Sequence, residues 1–261
     1  MTSRRICIGS VERDVCIDVK LIGKGEKRLA VLYSSTCLDV AISRIVREYK
    51  SFSKFRVAFI SLTNVLSKFR EASTVIHDAK PVRKGFLDVL RSKIMELAEE
   101  YGSAILIDCF RDTIPLGIAY SDDVNIAGIE ALCIHPEYMP TLLAELSQKG
   151  MEVAWVWLPC GTDFSINELE NAVRTIKEMI LGSGDSRPEV FKDCEFIESP
   201  ASGIFVPAKS VREHVVEGEC IGHVNEAEVI APCDGFLAFI SRGREVVFRE
   251  VLAVILRKRG L

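Results

Sequence analysis

The alternation of short apolar runs with helical patterns over the first 184 residues is the feature that most constrains the fold. Nearly continuous apolar runs predict buried strands at residues 29–33, 55–64, 103–110 and 151–159. Apolar residues three and four positions apart predict helices at residues 38–50, 85–102, 125–134, 139–150 and 165–184. Strands and helices that alternate in this way form a mostly parallel or mixed sheet with helices on both faces.

Three segments of the chain depart from this pattern. Residues 6–23 alternate apolar and polar side chains, which predicts an antiparallel hairpin before the first buried strand. Residues 65–81 show no clear period and are predicted to form a surface loop. After the segment "GSGDSRPE", short strands punctuated by glycine replace the helices. We therefore predict an α/β domain over residues 1–187 and a small all-β domain over residues 188–261.

Composition excludes several classes of protein. The formal net charge is -4 over 261 residues, so a basic surface for nucleic acid is not expected. No apolar run approaches the roughly 18 residues that span a bilayer, and the N-terminus does not resemble a signal peptide. Nine cysteines without a C-x-x-C pair argue against a disulfide framework and a zinc ribbon. We expect a cytoplasmic protein whose cysteines are mostly small buried apolar residues.

The C-terminal segment contains a turn that is typical of biotinyl and lipoyl carrier domains. An Ala-Pro-x-Asp-Gly sequence at residues 231–235 is followed by an apolar strand, but the stretch before it, "GECIGHVNEAEVIAP", contains no lysine. Residues 199–240 as a whole, with the α/β pattern before them, resemble the succinylglutamate desuccinylase/aspartoacylase family. The resemblance implies a zinc carboxypeptidase-like α/β domain. It also implies a lipoyl-like β domain without a lipoyl group, which shapes access to the active site.

The same resemblance locates the residues that should bind zinc and activate water. Proteins of this family hydrolyse amides with zinc, using a histidine and a glutamate after the first core strand, a histidine in a D-L-H strand end, and a general-base glutamate at another strand end. The corresponding positions here are Thr36, Asp39, Phe110 and Trp157. An alternative alignment makes Glu168 the base, but its spacing from Ser165 is that of a helix capping box. The resemblance thus implies that no metal-binding set and no catalytic residue remain.

Two weaker expectations concern the binding of a ligand. The resemblance implies that Asn64 and Arg70 lie where the family holds the substrate carboxylate, although an ordinary surface arginine explains Arg70 equally well. Trp155 and Trp157 are two residues apart on one predicted strand and therefore share a face. Trp157, together with Phe110, is expected to fill the crevice in which the family binds zinc.

A different site at the strand ends remains an open alternative. Cys37 and Asp39, then Asp108 and Cys109, and finally Cys160 follow three predicted parallel strands, whose carboxyl ends meet at one edge of the sheet. Arg111 and Asp112 lie next to them in sequence. Thiolates and carboxylates could bind a soft metal there, or one cysteine could act as a nucleophile. The sequence favours the simpler interpretation that the same residues are small core cysteines and helix caps.

Two functions follow from these observations. The first is a degenerate desuccinylase/aspartoacylase-like protein without metal-dependent hydrolysis and without a cofactor, which acts by binding or regulation. Its candidate partners are a small molecule in the crevice, a second copy of the chain, or an active homologue. The alternative is a zinc-dependent hydrolase of N-acyl amino acids, at an amide or ester bond, with atypical ligands such as His77 or His135.

Overall fold

The computed structural model describes residues 2–8, 15–48, 55–63, 86–121, 124, 126–135, 138–161, 163–182 and 187–257. The loop predicted at residues 65–81 lies outside these ranges. No helix in the described ranges is both long enough and apolar enough to cross a membrane.

A nine-stranded mixed sheet organises the first part of the described chain. Its strands are β1 (Thr2–Ile8), β2 (Val15–Ile22), β3 (Lys27–Tyr33), β4 (Phe55–Ser61), β5 (Ser103–Cys109), β6 (Leu116–Ala119), β7 (Ala131–Ile134), β8 (Glu152–Leu158) and β9 (Glu189–Phe191). Their order is β1-β2-β4-β3-β5-β8-β6-β7-β9. The central strands β4, β3, β5 and β8 run parallel, and the predicted hairpin is the antiparallel pair β1 and β2. The predicted mixed sheet is therefore confirmed.

Two layers of helices cover this sheet. The helices are α1 (Thr36–Glu48), α2 (Phe86–Glu99), α3 (Thr141–Gln148) and α4 (Ile166–Leu181). The apolar sides of α1 and α4 share one core with one face of the sheet, and α2 and α3 belong to the core on the other face. Burial on both faces explains why the central strands consist of nearly continuous apolar residues.

One predicted helix is wrong. Residues 125–134 contain β7 at Ala131–Ile134, which pairs in parallel with β6, a strand that the sequence pattern did not indicate. Ile126, Ile129 and Leu132 are all buried, and their spacing imitates one face of a helix. Both strands are only four residues long and are almost entirely buried, so neither displays the alternation by which strands are recognised.

The C-terminal part consists of strands, as predicted. One four-stranded sheet contains β10 (Cys194–Glu198), β17 (Val251–Leu256), β15 (Gly235–Ile240) and β12 (His214–Val215). The other contains β14 (Ala227–Ile230), β13 (Cys220–Val224), β11 (Gly203–Pro207) and β16 (Arg244–Val246). Both sheets contribute to one apolar core. The division after residue 187 stays a prediction, and β9 just beyond it still belongs to the large sheet.

The C-terminal strands contact the large sheet through the loop that follows β5. The Ile114 N–H donates to the Ala238 carbonyl at 2.9 Å, and the Ile240 N–H donates to the Asp112 carbonyl at 3.1 Å. The Asp112 side chain also pairs with Arg242 at 3.1 Å. Paired backbone groups of this kind fix the relative position of the two elements, because breaking them leaves polar groups without partners.

The best-defined helix of the chain is α4. The Ser165 hydroxyl accepts from the Glu168 N–H at 3.2 Å, and the Glu168 carboxylate accepts from the Ser165 N–H at 2.6 Å. The helix ends at Gly182 in a left-handed conformation with φ of 60°. The predicted capping box is confirmed, so Glu168 has a structural role at the start of this helix.

Substitution of Ser165 tests this cap. We expect Ser165→Ala to lower the free energy of unfolding by about 1 kcal/mol, because the Glu168 N–H loses its acceptor. Ser165→Asp is the matched control and should retain most of the stability, since its carboxylate can accept the same bond. Urea denaturation of the three proteins measures both values. Equal stability of the alanine variant and the parent would contradict a role for this cap.

Candidate functional site

The carboxyl ends of β3, β5 and β8 lie side by side and define the candidate site. β5 pairs in parallel with both neighbours, so the segments that follow these three strands leave the sheet at the same edge. Ligands of open α/β sheets usually bind at this edge. Successive side chains of a strand point to opposite faces. The strand ends therefore build two separate groups of side chains, one on each face of the sheet.

Aromatic rings fill the face that is covered by α2 and α3. The ring centroids of Phe110 and Trp157 are 4.6 Å apart, and Trp155 meets Trp157 edge-on at 4.9 Å. Phe239 of β15 closes the group at 5.4 Å from Phe110 and 5.1 Å from Trp157. Trp157 is only 2% exposed. The two tryptophans share a face, as predicted.

Phe239 is a member of this group that sequence reasoning missed. It lies more than 80 residues from the other rings and in the C-terminal strands. Its position depends on the backbone pairing of β15 with the loop at residues 112–114. No local pattern around Phe239 distinguishes it from other apolar residues of the same strand, so only the tertiary contact identifies it.

Asp108 is held among these rings by two hydrogen bonds. Its carboxylate accepts from the Ser34 hydroxyl at 3.0 Å and from the Trp155 indole N–H at 2.7 Å. The residue is 9% exposed. A buried carboxylate needs such donors, because burial without them is costly. Asp108 thus ties the end of β5 to the segment after β3 and to the ring of Trp155.

The residues at the predicted zinc positions lie in different surroundings, and the loss of the zinc site stays a prediction. Thr36 is exposed at the first position of α1, and Asp39 in the same turn accepts from the Ser61 hydroxyl at 3.0 Å. Phe110 and Trp157 belong to the aromatic group. Within the described part of the chain, Asp39 is not part of any cluster of three potential ligands. A catalytic zinc needs three N, O or S ligands and an open position, which this set does not provide.

Three cysteines converge on the opposite face, against α1 and α4. The sulfur atoms of Cys37, Cys109 and Cys160 all lie within 4.8 Å of one another. Cys109 and Cys160 form a disulfide, and Cys37 is a buried free thiol. The Ser35 hydroxyl lies 3.0 Å from the Cys109 sulfur and accepts from the Leu38 N–H at the start of α1. Among the described residues, this is the one cluster of three cysteine, histidine or carboxylate ligands.

The expectation that the cysteines are unpaired is wrong for six of them. Besides Cys109–Cys160, disulfides join Cys7 to Cys16 and Cys133 to Cys194. Cys7 and Cys16 are directly opposite each other on β1 and β2. These pairings depend on strand register and on contacts between distant segments, which sequence spacing does not reveal.

The electrostatic environment keeps Cys37 protonated. Burial raises the pKa of the Cys37 thiol to about 11, and the Glu168 carboxylate contributes in the same direction. A thiol with a raised pKa is neutral at pH 7, and the thiolate is the nucleophilic form. In the structure with the Cys109–Cys160 disulfide, Cys37 is therefore not an activated nucleophile.

The other predicted site residues do not join either group. Asn64, Arg70 and His77 lie outside the described residues. His135 packs edge-on against Tyr138 and Phe196, each with ring centroids 5.0 Å away, and belongs to no ligand cluster among the described residues. The proposed carboxylate-binding role of Asn64 and Arg70 stays a prediction.

A groove lies at the opposite, amino edge of the parallel strands. Its volume is about 1180 Å³, and its lining includes residues 24–29 and 101–105. None of the potential ligand clusters of the described chain lies there. The chemistry of the strand ends, rather than the size of the groove, therefore selects the candidate site.

Comparison with solved structures identifies the fold. A succinylglutamate desuccinylase/aspartoacylase from Rhodobacter sphaeroides superposes with a TM-score of 0.68 at 15% identity, over 98% of this chain and 93% of that chain. The chain has the desuccinylase/aspartoacylase fold. An aspartoacylase family protein from Mesorhizobium loti gives a TM-score of 0.68 at 14% identity, over 99% and 95% of the two chains. The apo ectoine utilization protein EutE (DoeB) from Ruegeria pomeroyi gives 0.67 at 14%, over 94% and 91%.

Comparison of sequences does not detect the similarity that comparison of structures shows. No family model matches the chain, and no curated protein matches it. Eight solved structures that share this fold are 9 to 15% identical to the chain. At such identities the fold is shared, and function depends on the residues of the site.

Truncation of Trp157 tests the aromatic packing. We expect Trp157→Ala to lower the free energy of unfolding by about 3–5 kcal/mol, because the cavity left between Phe110 and Phe239 cannot collapse fully. Phe248→Ala removes a ring that is 59% exposed and serves as the control, with an expected change below about 0.5 kcal/mol. Urea denaturation compares them. A similar loss for both variants would contradict tight packing around Trp157.

Thiol reactivity tests the burial of Cys37. In the native, oxidised protein at neutral pH, iodoacetamide should modify the partly exposed Cys220 well before Cys37. Burial also raises the pKa of Cys233, which serves as a buried reference and should react as slowly as Cys37. Peptide mass spectrometry over time resolves the three sites. Rapid labelling of Cys37 would show that its thiol is accessible, contrary to the structure.

Proposed function

We propose that this protein is a divergent relative of the desuccinylase/aspartoacylase enzymes that lacks metal-dependent hydrolysis and acts by binding. The observation that carries this proposal is the aromatic group at the ends of β5 and β8. Phe110 and Trp157 are packed together there, and Phe239 covers them at 5.4 and 5.1 Å. The resemblance assigns a zinc ligand and the general base to these two strand ends.

The chemistry of amide hydrolysis supports the proposal. Zinc must be held by three ligands, must bind a water whose pKa it lowers, and needs a carboxylate that accepts the proton. Neither Phe110 nor Trp157 can bind a metal or accept a proton. Asp39 is the one carboxylate at the positions that the resemblance assigns, and it is engaged by the Ser61 hydroxyl.

We also propose that the C-terminal strands form a lipoyl-like domain without a lipoyl group. The turn between β13 and β14 contains Asn225 in a left-handed conformation, with φ of 53°, and no lysine. Asn225 accepts from the Ile204 N–H and donates to the Ser202 carbonyl, each at 3.2 Å. This turn is therefore packed against its own domain. Phe239 of the same region supports a role in closing the crevice.

The alternative is a zinc-dependent hydrolase of N-acyl amino acids with atypical ligands. The structural neighbours favour it, since they include a succinylglutamate desuccinylase/aspartoacylase and an aspartoacylase family protein. A catalytic set would then have to include residues outside the described ranges, such as His77. We favour the binding role, whose candidate partners are a small molecule, a second copy of the chain or an active homologue.

Hydrolysis assays distinguish the two functions. The purified full chain should not cleave N-succinylglutamate or N-acetylaspartate above background, with or without added zinc, while an active desuccinylase assayed in parallel does. Phe110→His should remain inactive as well, because one imidazole restores neither the remaining ligands nor the general base. Zinc-dependent turnover by the unmodified chain would overturn the proposal in favour of the hydrolase.

A further inference from the structure

We propose that Cys37, Cys109 and Cys160 together bind one thiophilic metal ion once the Cys109–Cys160 disulfide is reduced. The three residues come from different elements: the first turn of α1, the last residue of β5 and the segment after β8. Their sulfur atoms nevertheless lie within 4.8 Å of one another. The site would take a soft d¹⁰ cation such as Zn²⁺ or Cd²⁺, for which thiolates are preferred ligands.

The spacing of the sulfur atoms suits such an ion. A zinc–thiolate bond is about 2.3 Å long, so two thiolates on one tetrahedral zinc lie about 3.8 Å apart. Reduction releases the sulfur atoms of Cys109 and Cys160 from bonding distance, and the Cys37 sulfur lies within 4.8 Å of both. Side-chain movements of about 1 Å would bring the three sulfur atoms to the spacing of one zinc ion.

The surroundings contain features that favour a metal–thiolate complex and features that oppose its negative charge. Cys37 and Cys160 are both fully buried, so bulk water does not compete for the ion. Cys37 lies in the first turn of α1, where the partial positive charge of a helix N-terminus favours thiolates. The Arg111 guanidinium packs directly beside Gly161, the residue after Cys160. A methyl group added at Gly161 would lie 3.0 Å from the Arg111 Nε. Glu168 is the opposing charge and acts on Cys37.

Metal binding requires two steps, reduction of the Cys109–Cys160 disulfide and then the loss of three thiol protons. A dithiol reductant is oxidised to its own disulfide while Cys109–Cys160 becomes two thiols. Binding of a divalent cation then displaces one proton from each of three thiols, giving a complex of net charge -1 and three protons in solution. A fourth donor, such as a water or a small ligand, would complete a tetrahedral ion. The bound metal would also prevent re-formation of the disulfide.

This site is distinct from the hydrolase site that the resemblance predicts. The cysteines face α1 and α4, whereas Phe110 and Trp157 face the opposite side of the sheet. The inference therefore stands independently of the proposed loss of hydrolysis. Metal binding without turnover supports both proposals, turnover with zinc overturns only the proposed function, and absence of metal overturns only this inference.

Metal retention by the full chain is the direct test. Protein reduced with dithiothreitol, freed of it without oxygen and incubated with Zn²⁺ should retain about one ion per chain after desalting, and oxidised protein none. Cys37→Ser should lose this ion, whereas the matched control Cys233→Ser, another buried free thiol, should retain it. No retained zinc in the reduced parent, or equal retention by Cys37→Ser, would overturn the proposal.

A second measurement on the unmodified protein does not depend on the folding of any variant. Zn²⁺ should protect Cys37, Cys109 and Cys160 of the reduced chain from alkylation, while the labelling of Cys220 stays unchanged. Co²⁺ should give visible bands and a sulfur-to-metal charge-transfer band that oxidation of the protein abolishes. Alkylation of all three cysteines at the same rate with and without Zn²⁺ would contradict a shared ion.

Discussion

The parallel pairing of β5 with β3 on one side and β8 on the other is the constraint on which the rest of the structure depends. The register places Ile107 of β5 beside Tyr33 of β3, and Cys109 beside Leu158 of β8. Side chains that follow these strands are therefore neighbours in space although they are distant in sequence. Moving β5 by one residue would exchange its two faces, so the register also decides which side chains meet.

The two faces of these strand ends have opposite chemical characters. Asp108 and Phe110 point toward the face of α2 and α3, where rings from two parts of the chain pack together. Cys109 points toward α1 and α4, where its sulfur atom meets Cys37 and Cys160. The desuccinylase/aspartoacylase fold of this chain thus carries aromatic side chains on one face of its strand ends and cysteines on the other.

The loop after β5 connects this site to the C-terminal strands. Backbone bonds between residues 112–114 and residues 238–240 hold β15 in place, and Phe239 packs against both Phe110 and Trp157 as a result. The packing of the rings and the position of the C-terminal strands therefore depend on each other.

The sequence by itself determined the elements whose patterns are local. The capping box of Ser165 and Glu168, the amphipathic helices and the apolar runs of the central strands could all be predicted, because their signals lie within one turn or one strand. The strands β6 and β7 could not, since they are short and buried on both faces.

Only the tertiary structure decided the disulfide partners, the packing of Phe239 against Phe110 and Trp157, and the cluster of Cys37, Cys109 and Cys160. The physical reason is that these contacts, except for the Cys7–Cys16 pair of the hairpin, join segments that are 50 or more residues distant in sequence. They depend on strand register and on backbone pairing between the two parts of the chain.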